Sequence, residues 1–567
     1  MLSTGLLLAT AFGHVLGLPQ IYSRDDELKT HLGDDKIKWS THCSYLGFES
    51  DLPYSCANFT VPLDYSNPKS NNTLTLTLTK IDAVKQPARG SVLFNPGGPG
   101  AGGADMITSF GEEFMTVLGG EFNLIGFDPR GTANTLRFDC YDNSDMDRAL
   151  LAPPDNTLGN ASDTALGQNL AYAEVAASQC LDAAADIGGL LGTSFVARDM
   201  ARIVDALGED GLLRYWGFSY GTALGATFSA MFPEKVDKVV LDGNVNVHEY
   251  YSGEEIESLD SLDSVVQGFY DGCVANPDEC ALAKEGQTSQ DISNVVEAFL
   301  ATLRYNPIVV TDEISIIISY DKVKTFMFES MYRPNSWPTV AVLLDLLIQG
   351  NSTGYVDTLE QLAGGGNGTD REAPDAFKGI RCGDVAFRAD ILSAFDSFKE
   401  AVVPTSKWGG LDLGLDNIMQ CAPWKMRAKE VYSGSWSNIR TKNPLLIIGN
   451  TYDPVTPLVS ARNNSAAFEG SIVLQHNGYG HCSIAQPSLC SAKYVQAYFK
   501  NGTLPAPGTI CEVDVPLFSD ETWANAFSPI SLNGTSAGMV KRSVEDSALL
   551  KAMTGLSRSP ARYGRAQ

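Results

Sequence analysis

Short apolar runs alternate with helical patterns over the first half of the chain. Ser91–Phe94 is an apolar run that stops at Asn95-Pro96-Gly97-Gly98-Pro99-Gly100, and Asn123–Phe127 stops at Asp128-Pro129-Arg130-Gly131. Each reads as a strand closed by turn residues. Val196, Met200, Ile203, Val204 and Leu207 then recur at helical spacing and give one apolar face. A strand through Tyr215 and Trp216 follows, then a helix rich in small residues (Gly221, Ala223, Gly225, Ala226), then a strand Val239–Leu241 ending at Asp242-Gly243. Strands alternating with helices predict an α/β fold: a mostly parallel, doubly wound sheet with helices on both faces.

The alternation breaks near residue 250. From there to about 424 the sequence reads as helices and loops, with 351–370 rich in Gly, Asn and Thr. The strand signal returns at Leu445–Ile448 and Ile472–Leu474. A mainly helical insertion in a resumed sheet predicts a cap over an active site. The expected organisation is a signal peptide at 1–17, an N-terminal segment at 18–75 and a first part of the core at 76–249. The cap follows at 250–424, the rest of the core at 425–512 and a tail at 513–567, where no clear period is visible. No internal repeat or low-complexity block interrupts this order.

Composition narrows the setting. The chain has 567 residues, 44% hydrophobic and 19% charged, with a formal net charge of -26. So negative a field repels phosphate backbones and argues against a nucleic-acid partner. Residues 1–17 carry no charged side chain, include Leu6-Leu7-Leu8, and place the small residues Val15 and Gly17 before Leu18. That is the pattern of a secretory signal, too short to span a bilayer, so no membrane association is expected after its removal. Eleven cysteines contain no C-x-x-C pair. In an oxidising compartment, pairing neighbours along the chain gives Cys43–Cys56, Cys140–Cys180, Cys273–Cys280, Cys382–Cys421 and Cys490–Cys511, with Cys482 left over. Eight N-x-S/T sequons, at Asn58, Asn71, Asn160, Asn351, Asn367, Asn463, Asn501 and Asn533, fit a secreted glycoprotein.

The chemistry centres on Gly217-Phe218-Ser219-Tyr220-Gly221, a G-x-S-x-G run between a strand and a helix. In that context the serine sits on a strained turn with its oxygen exposed, and flanking glycines let the chains approach closely. The base follows the last strands of the sheet in the order Ser…Asp…His. Of the six histidines only His476 and His481 qualify. His476 is held by the Ile472–Leu474 strand, whereas His481 follows the Gly478-Tyr479-Gly480 loop and is the preferred base. Asp453, beyond the Leu445–Ile448 strand, is the preferred orienting acid. Asp242 is an alternative, and Asp128 reads as a structural ion pair with Arg130. The oxyanion donors are expected to be the backbone N–H groups of Tyr220 and Gly98, with Gly97 the alternative to Gly98. No metal and no cofactor are called for, since H-E-x-x-H is absent and histidine is scarce.

Asn95-Pro96-Gly97-Gly98-Pro99-Gly100, Gly126-Phe127-Asp128-Pro129-Arg130-Gly131, Gly217–Gly221 and Asp453-Pro454-Val455-Thr456-Pro457, with Gly480-His481, together resemble the secreted tripeptidyl aminopeptidase family, related to prolyl aminopeptidases within the α/β-hydrolases. The resemblance spans about residues 40–512. It implies an α/β-hydrolase with a helical cap and a serine exopeptidase acting at free N-termini, its triad falling on Ser219, Asp453 and His481. After Gly100 this chain reads Ala101-Gly102-Gly103 where the family pattern would read Gly-Ser-Gly. The acidic residues that hold the substrate amine in such enzymes would lie on the cap, and Asp384 and Glu254 are the candidates. The substrate is then a peptide. An esterase or lactonase using the same triad on a small acyl substrate is the rival, and a non-catalytic binding protein a more distant one. The oligomeric state stays open.

Overall fold

The computed structural model describes residues 36–43, 50–133, 135–141, 157–311, 315–363, 373, 375–518 and 543–558. The expected signal peptide lies outside these residues. The strands are β1 (Ser55–Pro62), β2 (Thr73–Ile81), β3 (Ser91–Asn95), β4 (Asn123–Phe127), β5 (Leu213–Phe218), β6 (Val236–Asp242), β7 (Ile308–Val310), β8 (Ile316–Ile318), β9 (Leu446–Tyr452), β10 (Ile472–Tyr479) and β11 (Ile510–Glu512). Nine of them form one sheet in the order β1-β2-β4-β3-β5-β6-β9-β10-β11, while β7 and β8 pair separately. From β4 to β11 every pairing is parallel.

The central strands read as unbroken apolar runs because both of their faces are covered. Leu93, Tyr215, Leu241 and Ile447 enter the core under helices Thr193–Ala206 and Tyr220–Met231. Their neighbours Phe94, Trp216, Val240, Leu446 and Ile448 enter the opposite core, under helices Gly103–Val117 and Leu489–Asn501. The period of two thus sorts one run into two cores.

β1 and β2 were not expected as strands. They form an antiparallel pair, and β2 continues antiparallel onto β4. In Thr73–Ile81 the leucines at 74, 76 and 78 are buried while Thr73 and Thr75 face solvent. The division drawn at residue 75 falls inside this strand.

Helices Leu262–Ala275, Ser289–Leu303, Tyr320–Met331 and Trp337–Ile348 surround a second core built on Phe269, Val296, Met327 and Leu344. Phe518, from beyond β11, joins that core. Ile380, Cys382 and Trp424, which fall within the segment expected as the cap, pack instead with the hydrolase core. The expected tail also contributes structure. Helix Val544–Ser557 buries Leu549, Leu550, Met553 and Leu556 against the core that holds Phe114 and Trp216.

The five neighbour pairs of cysteines are the five disulfides, and Cys482 is a buried free thiol. Among the described residues no helix is long and apolar enough to cross a membrane.

Candidate active site

β3 is flanked by β4, which follows it in the chain, and by β5, which follows β4. The chain therefore leaves β3 in one direction and β5 in the other, which opens a crevice at their carboxyl ends. Ser219 stands at this point, one residue beyond β5, with φ 55° and ψ -126°. This is the left-handed side of backbone space, strained for a residue with a Cβ. The Ser219 N–H donates to the Asp242 carbonyl at 3.1 Å, which ties the turn to the next strand. Helix Tyr220–Met231 begins immediately after it.

The approaches are too close for side chains. A Cβ on Gly221 would lie 2.7 Å from the Asn95 carbonyl oxygen. One on Gly97, where φ is +99°, would lie 2.5 Å from the Phe218 carbonyl oxygen and 2.8 Å from the Ser219 Cβ. The loop after β3 is thereby pressed against the serine turn. Gly98 and Tyr220 both border the cleft in front of Ser219. Tyr220 opens its helix, so its N–H has no acceptor within that helix.

β9 and β10 run four and five residues further than their apolar runs suggested, to Tyr452 and Tyr479, which pair across the ladder and stack at 4.3 Å. Asp453 is the next residue beyond one strand and His481 the second beyond the other, so two parallel neighbours deliver them together. His481 Nδ1 lies 3.1 Å and 3.2 Å from the two carboxylate oxygens of Asp453. A carboxylate only accepts, so Nδ1 carries the proton and Nε2 is left as the basic nitrogen. Asp453 is fully buried and also accepts from the N–H groups of Val455, Thr456 and Cys482 and from the Thr456 hydroxyl. The Thr456 Oγ is 3.1 Å from His481 Nδ1 as well, a third polar contact that the sequence had not singled out. The cap reaches this loop: the His481 N–H donates to the Tyr332 carbonyl at 2.9 Å, and the two rings meet edge to face.

The alternatives are otherwise engaged. His476 lies inside β10, its Nδ1 2.9 Å from the Ser491 hydroxyl, and burial lowers its pKa to about 4. Asp242 accepts from the N–H and hydroxyl of Ser483, and burial raises its pKa to about 6. It anchors the loop that carries His481. Arg130 pairs with Asp199, at 2.6 Å and 2.9 Å, and not with Asp128 as expected. The Asp128 carboxylate accepts from the Ala104 N–H. Two residues along the chain did not mean contact, because both side chains turn to partners brought in by the fold. Burial and the nearby carboxylates of Asp242 and Asp453 push the Cys482 thiol well above its ordinary pKa, so it stays protonated. It packs under the site, where a Cβ on Gly243 would overlap its sulfur.

Neither candidate amine anchor faces the cleft. Asp384 is fully buried and accepts from the Thr193 N–H and hydroxyl and from the Tyr250 hydroxyl. Burial raises its pKa to about 6. Glu254 is exposed to solvent. Its neighbour Glu255 lines the cleft instead, together with Arg381. The cleft measures about 110 Å³ and has aromatic walls from Tyr250, Phe328, Tyr332 and Phe377.

Fold and cleft define a serine hydrolase of the α/β-hydrolase class. Residues 90–344 match the family model for the alpha/beta hydrolase fold, and residues 412–511 match that for TAP-like proteins. The chain thus joins an α/β-hydrolase region to a TAP-like one. It is similar to serine protease Hip1 of Mycobacterium tuberculosis, 27% identical over 80% of this chain and 87% of that protein. It is also similar to the tripeptidyl aminopeptidase of Streptomyces lividans, 24% identical over 81% of this chain and 84% of that one. Carboxylesterase B of M. tuberculosis is 28% identical, over 83% of this chain and 89% of its own length.

Proposed function

We propose that this protein is a secreted serine exopeptidase that cleaves short fragments from the free N-termini of peptides. Ser219 is the nucleophile, His481 the general base and Asp453 the group that orients the imidazole. The Ser219 oxygen attacks the scissile carbonyl carbon while His481 Nε2 takes its proton. Asp453 stabilises the imidazolium that forms. The amide N–H groups of Gly98 and Tyr220 receive the oxyanion, at a helix N-terminus whose dipole favours negative charge. His481 then protonates the leaving amine, and water hydrolyses the acyl-enzyme with His481 again as base.

The observation that carries the peptidase reading is Glu255, a carboxylate placed in the same small cleft as Ser219. Arg381 stands 2.8 Å from it, so a substrate ammonium would compete with that guanidinium for the carboxylate, and the aromatic walls would desolvate the new pair. The tripeptidyl aminopeptidase and Hip1 relatives support the same class of substrate. Secretion is supported by the apolar N-terminal 17 residues, by five disulfides, and by the exposure of the sequon asparagines Asn58, Asn71, Asn351 and Asn501.

The deciding experiment is mass spectrometry of products from matched free and N-acetylated peptides, with wild type and Ser219→Ala. Fragments released only from the free peptide, and only by wild type, establish the activity. Equal cleavage of both peptides overturns the amine-anchor role. The second reading, an esterase for a small acyl substrate, draws on the carboxylesterase relative and the cleft of about 110 Å³. Ester hydrolysis with both peptides untouched would establish it.

A further inference from the structure

Arg381 lies in the last turn of helix Ala376–Asp384, is 2% exposed, and borders the cleft that holds Ser219. Its guanidinium carbon stands 5.2 Å from the centre of the Tyr250 ring. Its Nη2 lies 2.8 Å from Glu255 Oε2, so the two form an ion pair by distance. The directions are wrong for hydrogen bonds, however. Nε, Nη1 and Nη2 of Arg381 and Oε2 of Glu255 all lack a hydrogen-bond partner among the described residues. Arg130 shows the contrast. It is equally buried, and it donates to both Asp199 oxygens and to the carbonyls of Pro62 and Leu63. A buried guanidinium with unspent donors is unfavourable unless an acceptor arrives. Glu255 itself is held at φ 41°, a backbone state that a non-glycine residue adopts at a cost. Strain and unspent donors therefore meet at one spot on the cleft wall.

We propose that Arg381 is a subsite for a carboxylate on the acyl fragment of the substrate, so that the enzyme prefers peptides with an acidic side chain among the residues it releases. The inference rests on the peptidase reading and adds a specificity to it. A planar guanidinium matches a carboxylate with two parallel hydrogen bonds. Glu255 completes the match: when the substrate ammonium takes Glu255, Arg381 is freed for the incoming anion. One neutral couple in the protein is exchanged for two couples with the substrate. An acyl fragment bearing both an ammonium and a carboxylate complements the site, whereas a fragment with only one charge leaves a partner stranded.

The test uses N-terminally free peptides with Glu placed at the first, second or third residue, each against its Gln isostere. Wild type should favour Glu over Gln at one position by on the order of 10- to 100-fold in kcat/KM. In Arg381→Gln that ratio should collapse toward one, with Arg381→Lys recovering part of it. Wild type that does not discriminate Glu from Gln at any position overturns the proposal. So does an Arg381→Gln enzyme that loses activity equally on both peptides, since that marks a residue that only neutralises Glu255. If the variants do not fold, the wild-type comparison decides alone. If no free peptide is cleaved while simple esters are, the peptidase reading has failed, and the subsite is tested on p-nitrophenyl esters. A carboxylate-bearing ester hydrolysed no faster than its neutral analogue then overturns it too.

Discussion

The carboxylate of Asp453 holds the Nδ1 edge of His481 with both oxygens, at 3.1 Å and 3.2 Å, from a fully buried position. The tautomer this imposes makes a direct prediction. Asp453→Asn can present an N–H to Nδ1, which turns the ring to the tautomer with Nε2 protonated. The expected fall in kcat is on the order of 10³- to 10⁴-fold, with a far smaller change in KM. Steady-state kinetics on a cleaved peptide checks it, and a variant retaining more than a tenth of wild-type kcat refutes the orienting role. Ser219→Ala should in addition abolish labelling by a fluorophosphonate probe.

Gly97 should tolerate no side chain. A methyl group there would stand 2.5 Å from the Phe218 carbonyl oxygen, on a backbone with φ +99°. Gly97→Ala must push the loop after β3 away from Ser219 and move the Gly98 amide with it. The expected result is a loss of kcat of about 10²-fold or more, the size associated with losing one oxyanion donor. A crystal structure of the variant should show the loop displaced.

Stability should rise as the solution is made mildly acidic. Asp242 and Asp384 have folded-state pKa values raised to about 6 from 3.8, chiefly by burial. Groups raised in this way contribute stability that is complete below 3.8 and lost as pH climbs through 6. His476, lowered to about 4 from 6.5, acts in the opposite sense over part of that range, since its contribution is lost as pH falls through 4. The substitution isolates the carboxylate. Asp242→Asn should show a smaller gain in Tm between pH 7 and pH 5 than wild type. An unchanged gain would show that Asp242 titrates normally.

Removing residues 543–567 should destabilise the protein markedly. Helix Val544–Ser557 buries Leu549, Leu550, Met553 and Leu556 against the sheet-side core. Each such side chain is worth about 1.5 kcal/mol or more of burial. The truncated chain should melt at a lower temperature by differential scanning calorimetry, with new exposed apolar surface detected by dye binding. An unchanged Tm would make the helix dispensable.

Much of the architecture was legible in the chain. Buried strands announce themselves as apolar runs, and turn residues mark their ends. The serine turn, the loop after β3, Asp453 and His481 were all readable because each needs a particular residue type at a strand end. The cysteine pairs were readable because each joins neighbours in the chain. The β1–β2 pair went unread, since its alternating Thr and Leu residues make a weak signal without knowledge of which sheet edge they cover. Helix Val544–Ser557 went unread because its apolar residues acquire a face only against Phe114 and its neighbours.

The sequence by itself determined the hydrolase core, because parallel strands, glycine turns and strand-end chemistry are local properties of the chain. Only the tertiary structure decided what fills the cleft. Glu255 and Arg381 are separated by more than a hundred residues and belong to segments whose local patterns say nothing of a shared wall. Their 2.8 Å contact, the exclusion of Asp384 and Glu254 from the cleft, and the pairing of Arg130 with Asp199 arise from long-range packing. Packing selects among many charged residues of equal local plausibility, and the energy that selects them exists only when the chain is folded.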